Sequence, residues 1–156
     1  MDQLRVPTRR IEVQVFLVDG TRVTGTMFHH DALYDHGGPA DICDELNDER
    51  AFLPFDSSTE CGGAMLLSKR HILRVLVPDF SFEQFASDQH EQHEDGSTLL
   101  LDDGTRVSGR LILETRLASS RLLDKLNQAP AFVPFVTDHG VELINRGRVV
   151  RVFKKD

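Results

Sequence analysis

Seven residues recur almost unchanged 84 positions apart. Asp19-Gly20-Thr21-Arg22-Val23-Thr24-Gly25 returns as Asp103-Gly104-Thr105-Arg106-Val107-Ser108-Gly109. Two further segments return at an offset of 80: Asp44-Glu45-Leu46-Asn47 as Asp124-Lys125-Leu126-Asn127, and Ala51-Phe52-Leu53-Pro54-Phe55 as Ala131-Phe132-Val133-Pro134-Phe135. Ordered matches with a slowly drifting offset mark a duplicated unit, and a repeat restricts architecture before any other pattern does. Each unit holds roughly 60–70 residues, a size that buries only about 60% of its unfolded surface and is marginal alone. The two units are therefore expected to pack on each other or on other subunits.

Each unit reads β-β-α-β-β-β. Ile11, Val13, Val15 and Leu17 alternate as in a half-buried strand, and Leu99 to Leu101 open the second unit in the same way. Asp19-Gly20 and Asp103-Gly104 then interrupt the apolar pattern. The dipeptide predicts a type I′ hairpin tip, with positive φ at both central residues. The returning strands are Thr21 to Phe28 and Thr105 to Glu114. Gly25 and Gly109 within them predict a bulge or a bend. A short helix follows, with Ile42, Cys43 and Leu46 on one face in the first unit and Leu122, Leu123 and Leu126 in the second. Its start is expected at Asp41, and at Ser119 or Ser120 as N-cap. Its end is expected at Asn47 and Asn127, since Asn tolerates the left-handed conformation. Pro54 and Pro134 cannot donate a ladder hydrogen bond, which predicts an edge or bulge in the third strand. The fourth strand is Ala64 to Ser68 or Val141 to Asn145, and the fifth Ile72 to Val77 or Val149 to Phe153.

Between the units, residues 79–96 carry six acids and no base. They read as an acidic linker whose first half packs down through Phe80, Phe82 and Phe85. The stretch from Glu91 to Gly96 is expected to be its most flexible part, with His90 and His93 exposed. The net charge of −7 is uneven: residues 1–96 hold 8 Lys/Arg against 18 Asp/Glu, residues 97–156 hold 10 against 7. An acidic chain repels phosphate backbones at long range, but the basic second unit keeps a local anion site open. No apolar run approaches the ~20 residues that cross a membrane, and the first ten residues lack an apolar signal core. Two cysteines, Cys43 and Cys61, make no disulfide framework. A cytoplasmic protein without a cofactor is the expectation.

Gly104-Thr105-Arg106-Val107-Ser108-Gly109, Asp124-Lys125-Leu126-Asn127 and Ile144-Asn145-Arg146-Gly147, set among five short strands, resemble the Sm-like fold. The resemblance implies two tandem Sm-like or SH3-like five-stranded β-barrels, each with one short helix after the second strand. The first would span residues 8–78 and the second 97–156. In that family the Asp-x-x-Asn and Arg-Gly elements form a uridine-binding pocket. Here Ser68-Lys69-Arg70-His71 stands in place of the Arg-Gly pair in the first unit, and Asp124 follows Gly109 by 15 residues, within a helical pattern. The segment Arg121-Leu122-Leu123-Asp124-Lys125-Leu126-Asn127 is also similar to a group of uncharacterised bacterial domains, which brings no activity with it.

The candidate ligand or partner residues are Arg106, Arg110, Asn127, Arg146, Arg148 and Arg151. The arginines can gather into a basic patch that binds phosphate or an acidic partner; a solvated polar face accounts for them as well. Asp124 and Asn127, with Asp44 and Asn47, can form a binding edge or merely serve the helix ends. His29, His30, Asp31, Asp35, His36 and Cys43 offer zinc-type ligands without a compact spacing, so no metal site is assigned. Cys43 aligns with Leu123 and reads as a small core residue. No Gly-x-Ser-x-Gly elbow, phosphate loop, His-Glu-x-x-His or Cys-x-x-Cys pair is present. The expectation is a non-catalytic interaction or assembly module, with protein partners or self-association through open strand edges. The alternative is Sm-like RNA binding by the second unit.

Overall fold

A computed structural model describes residues 11–27, 39–59, 63–85, 90–93, 95–114 and 121–154. The first half runs β1 (Ile11–Leu17), β2 (Arg22–Met27), α1 (Pro39–Asn47), β3 (Phe52–Ser57), β4 (Ala64–Ser68), a 3-10 turn (Lys69–His71) and β5 (Ile72–Pro78). After α2 (Phe82–Phe85) and β6 (His90–Gln92), the second half runs β7 (Ser97–Leu101), β8 (Arg106–Glu114), α3 (Leu122–Gln128), β9 (Phe132–Thr137), β10 (Gly140–Asn145), a 3-10 turn (Arg146–Arg148) and β11 (Val149–Lys154). The expected class, mainly β, holds. The described strands form one antiparallel path, β11-β7-β8-β9-β10-β5-β1-β2-β3-β4, which does not close on itself; β6 joins at β8.

Both halves have the strand order fifth-first-second-third-fourth. Even the registers correspond. Val13 faces Gly25 and Val15 faces Val23, while Ser97 faces Gly109 and Leu99 faces Val107. The halves meet at one seam, where β10 pairs with β5: Val141 faces Val77, Leu143 faces Val75 and Ile144 faces Arg74.

The hairpin tips differ from the type I′ expectation. Only the glycines have positive φ, 91° at Gly20 and 90° at Gly104. Gly20 N–H bonds to Leu17 O, and Leu17 N–H to Thr21 O, so the loop has three residues, Val18-Asp19-Gly20. This is a turn closed by a left-handed glycine, a common three-residue hairpin. The reason is the Asp19 carboxylate, which accepts bonds from Thr21 N–H and Oγ1 and holds Asp19 at negative φ. Asp103 and Thr105 repeat the arrangement. The glycines inside the strands serve close approach. A Cβ on Gly25 would lie 2.1 Å from Asp56 O, and one on Gly109 2.0 Å from Val136 O. Pro54 and Pro134 fit because their strands pair on the β2 and β8 sides only beyond them, from Phe55 and Phe135 onward.

α1 ends at Asn47 as expected, but the other helix ends depart from expectation. α1 begins at Pro39, ahead of Asp41, and Arg121 is the N-cap residue of α3; residues 115–120, which include Ser119 and Ser120, lie outside the described residues. α3 continues to Gln128, past Asn127, and ends with Ala129 in extended backbone. Neither asparagine has positive φ.

Of the stretch expected to be a linker, the first part packs down as expected, and the described residues of its second half join the sheet. Phe85 is buried, and Phe80 and Phe82 pack on the first core. His90–Gln92, expected in part to be flexible, pairs with β8 at Ile112–Glu114. His90 and His93, expected to be exposed, are half-buried. His90 meets the Phe85 ring edge-on at 5.6 Å, and His93 Nδ1 lies 2.8 Å from Lys125 Nζ. Aromatic spacing outweighs the local charge here, because burial of Phe85 draws its neighbours onto the protein.

Two cores form, and each takes side chains across the seam. The first, around Val13, Val15, Leu53 and Phe55, also contains Phe132, Val141 and Leu143 from the second half. The second, around Leu99, Leu101 and Phe135, contains Leu73 from the first. Each such residue removes an apolar side chain from water, worth about 1.5–3 kcal/mol. No helix among the described residues is long and apolar enough to cross a membrane.

Candidate functional site

The seam has polar fittings as well as apolar ones. Asn47, at the end of α1, donates from Nδ2 to Phe132 O at 3.0 Å and accepts from Phe132 N–H at 2.7 Å. A single side chain thereby satisfies both backbone groups of a residue 85 positions away. Asn145 Nδ2 donates to Ile72 O at 2.9 Å. Arg148 donates to Arg70 O from Nε at 3.1 Å and NH2 at 2.6 Å, while its NH1 reaches Asp102 Oδ2 at 3.0 Å. At the centre of the seam Arg74 pairs with Glu142, which is only 1% exposed. The Arg74 guanidinium lies 3.9 Å from the centre of the Phe16 ring.

The six residues singled out in the sequence separate into different roles. Arg106 and Arg151 are brought together. Both face Leu100 across the strands, and their guanidinium carbons lie 5.6 Å and 5.5 Å from the Phe153 ring centre. Arg110 stands further along β8, opposite Val136, after the pairing with β7 has ended. Arg146 NH1 donates to Leu126 O at 3.0 Å and to Asn127 O at 3.3 Å, closing the end of α3. Arg148 holds the seam. Asn127 is exposed, and its side chain has no partner among the described residues. Two of the five arginines thus spend guanidinium donors on backbone carbonyls.

Cys43 is a core residue of the first half, as its alignment with Leu123 predicts. Burial pushes its thiol up to about 12, against the smaller opposing effect of a bond from Asn47 Nδ2 to Sγ. A thiol so raised is a poor nucleophile and metal ligand. The five other residues of the candidate metal set, His29 to His36, lie outside the described residues. Among the described residues no group of three His, Cys, Asp or Glu side chains could hold a metal ion. An open hollow of roughly 360 Å³ lies between Phe80, Phe82, Gln92 and the β9-β10 turn at Asp138 and His139.

A second charged group sits beside β4. Lys69, itself buried, reaches Asp48 Oδ1 at 2.5 Å, and Arg50 bridges Asp48 and Glu45. The Arg50 hydrogen bond, helped by Lys69, holds the Asp48 carboxyl well below the usual carboxylate range. These contacts join the end of α1 and the segment before β3 to the turn that follows β4.

Sequence reasoning did not find the residues that matter most at the strand edges. Leu66 on β4 is 69% exposed, Val150 and Phe153 on β11 are 58% and 38% exposed, and Phe52 and Leu123 are 54% and 62% exposed. Scattered exposed apolar residues are ordinary. Three of these five lie on the two outer strands of the described sheet, and only burial distinguishes them from the core. Comparison of the chain with protein-family models, with curated proteins and with solved structures gave no match.

Proposed function

We propose that this chain is a non-catalytic assembly module that joins polypeptides by extending its sheet at the two outer edges. The observation that carries this reading is the β10-β5 seam: strand-to-strand pairing is already how the two halves are held together. The path then ends in β4, paired only with β3, and β11, paired only with β7, among the described strands. Unpaired edges of this kind are templates for further pairing unless they are blunted. Strand addition takes its affinity from main-chain hydrogen bonds and its selectivity from alternate side chains. The strand order in each half and the repeated Gly-x-x-Val-x-Gly segments support reading both halves as small Sm-like units, open at these edges.

The test compares tagged wild-type protein with Leu66→Arg and Val150→Arg variants, each recovered from its own cells. Any polypeptide held by the wild type, copies of itself included, should be absent from at least one variant. A wild type that carries nothing dependent on these edges refutes the reading. RNA binding by the second half is the competing outcome. It would appear as retention of a uridine-rich oligonucleotide at low salt that falls with added salt and is lost in Asn127→Ala. Engagement of Arg146 and Arg148 on backbone carbonyls weighs against it.

A further inference from the structure

Arg151 lacks the partner that its counterpart in the first half has. Arg106 on β8 and Arg151 on β11 both face Leu100 of β7, so the three form one row across the sheet. Residues two apart on a strand share a face, which places Phe153 beside Arg151 and Ser108 beside Arg106. Ser108 and Phe153 both face Thr98, and Thr98 Oγ1 lies 2.7 Å from Ser108 Oγ. Both arginines and Phe153 are exposed. Neither guanidinium has a hydrogen bond or an ion pair among the described residues; both lie against the Phe153 ring. The chain has 25 acids for 18 Lys and Arg, so a shortage of carboxylates does not explain this. Arg50, Arg74, Arg121 and Arg148 each pair with one.

The first half shows what such a row takes. At the offsets of 84 and 77, Arg106, Leu100 and Arg151 correspond to Arg22, Phe16 and Arg74, which form the same row. Even the break in register ahead of the last arginine recurs. There Arg74 lies on the Phe16 ring and pairs with the carboxylate of Glu142, which β10 brings alongside β5. In the second half the ring has moved to the fifth strand, as Phe153, and an arginine again lies on it. The carboxylate is what the second row lacks. β11 pairs only with β7 among the described strands, so no neighbouring strand brings an acid to Arg151.

We propose that this face of β7, β8 and β11 binds carboxylates and takes an acidic peptide segment of a partner protein. Each guanidinium offers a planar fork that matches a carboxylate with two parallel hydrogen bonds. Arg106 and Arg151 stand two strands apart, about 10 Å at the backbone, so one small carboxylate meets only one of them. Acidic residues at i and i+2 of an extended segment project to the same side about 7 Å apart. Two arginines that already lean towards one ring span the difference. Two carboxylates also relieve the repulsion between like charges held against that ring. Nucleic acid fits less well. Single strands bind by stacking bases on open aromatic rings, and Phe153 already carries two guanidiniums. The acidic first half also repels an extended phosphate backbone. The site is a sheet face, so it does not depend on strand addition at the edges.

The experiment is fluorescence anisotropy of the full chain with a labelled Glu-Val-Glu-Val-Glu peptide. A Gln-Val-Gln-Val-Gln analogue and a uridine oligonucleotide are the comparison probes. The Glu peptide should bind at low salt and weaken as salt rises, and the Gln analogue should not bind. Arg106→Gln and Arg151→Gln should each weaken binding at least about tenfold, because each removes a charge-assisted pair. Arg22→Gln, at the same row position in the first half, should bind as wild type does, and so should Leu66→Arg on β4. Failure of the Glu peptide to bind at low salt overturns the proposal. Equal loss in Arg22→Gln overturns it too, since overall charge would then suffice. An oligonucleotide that displaces the peptide and is lost in the same two variants reassigns the face to nucleic acid and overturns it as well. If an arginine variant fails to fold, the wild-type amide spectrum decides. The peptide should shift residues 98–108 and 149–154 and leave residues 11–27 in place, and any other pattern overturns the proposal. A chain that binds the peptide but carries no polypeptide at its edges would sink the assembly reading alone.

Discussion

Asn47 and Asn127 occupy the same place in the repeated motif, yet only one has a partner, so truncating each in turn tests the seam directly. Asn47→Ala removes two hydrogen bonds to Phe132, of 3.0 Å and 2.7 Å, and leaves both backbone groups of a residue 2% exposed without that partner. A buried group left unsatisfied costs about 1–3 kcal/mol. Asn47 is half-buried, so water can enter the truncated space and soften one of the two losses. The expected destabilisation is about 2–3 kcal/mol, with the lower end set by that water. For a chain of this length the melting temperature should fall by about 5–10 °C. Asn127→Ala removes an exposed side chain and should stay within about 0.5 kcal/mol. Both are measured by urea and thermal unfolding. Equal effects of the two substitutions would refute the claim that Asn47 acts across the seam. Asn47→Asp sharpens the test: it keeps the acceptor for Phe132 N–H but sets a carboxylate oxygen against Phe132 O, so it should not rescue.

Glu142→Ala leaves the Arg74 guanidinium without its partner and should cost about 3 kcal/mol by urea denaturation. Replacing both, as Glu142→Met with Arg74→Met, should restore much of that loss. Gly25→Ala forces a Cβ to 2.1 Å from Asp56 O and should cost at least about 3 kcal/mol, whereas Gly20→Ala meets open space and carries only the positive-φ cost of about 1 kcal/mol. Thermal melts of the two variants should therefore differ widely, and similar values would contradict the close approach. Asp48 is held below its unfolded value of about 3.9 by Arg50 and Lys69, so its contribution is present above that pH and is lost as pH falls through the folded value. Asp48→Asn should flatten the acid limb of the stability curve below about pH 4, by under about 1 kcal/mol because the pair is partly solvated.

Much of the local structure was legible. The β-β-α-β-β-β order and the fourth and fifth strands came from alternation and turn chemistry, which act over a few residues; Gly25 and Gly109, expected at a bulge or bend, sit in unshifted register where the third strands approach closely. The hairpin type was misjudged because the Asp19 carboxylate decides it, through a bond two residues on. The first half of the acidic stretch packs down through Phe80, Phe82 and Phe85 as expected, whereas the pairing of His90–Gln92 with β8 was missed because its partner strand lies some 20 residues on. The two asparagines were read as helix ends, their commonest local use. The partner of Asn47 lies 85 residues away, and no local signal points to it.

The repeated Asp-Gly-Thr-Arg-Val segment determined that the chain would build one architecture twice, because periodicity and turn chemistry are properties of neighbouring residues. Tertiary structure decided how the two copies meet. It placed Leu143 and Leu73 in each other's cores while leaving their counterparts Leu66 and Val150 in solvent. Burial is a relation between distant segments, so identical chemistry at equivalent positions reads as core on one side and open edge on the other.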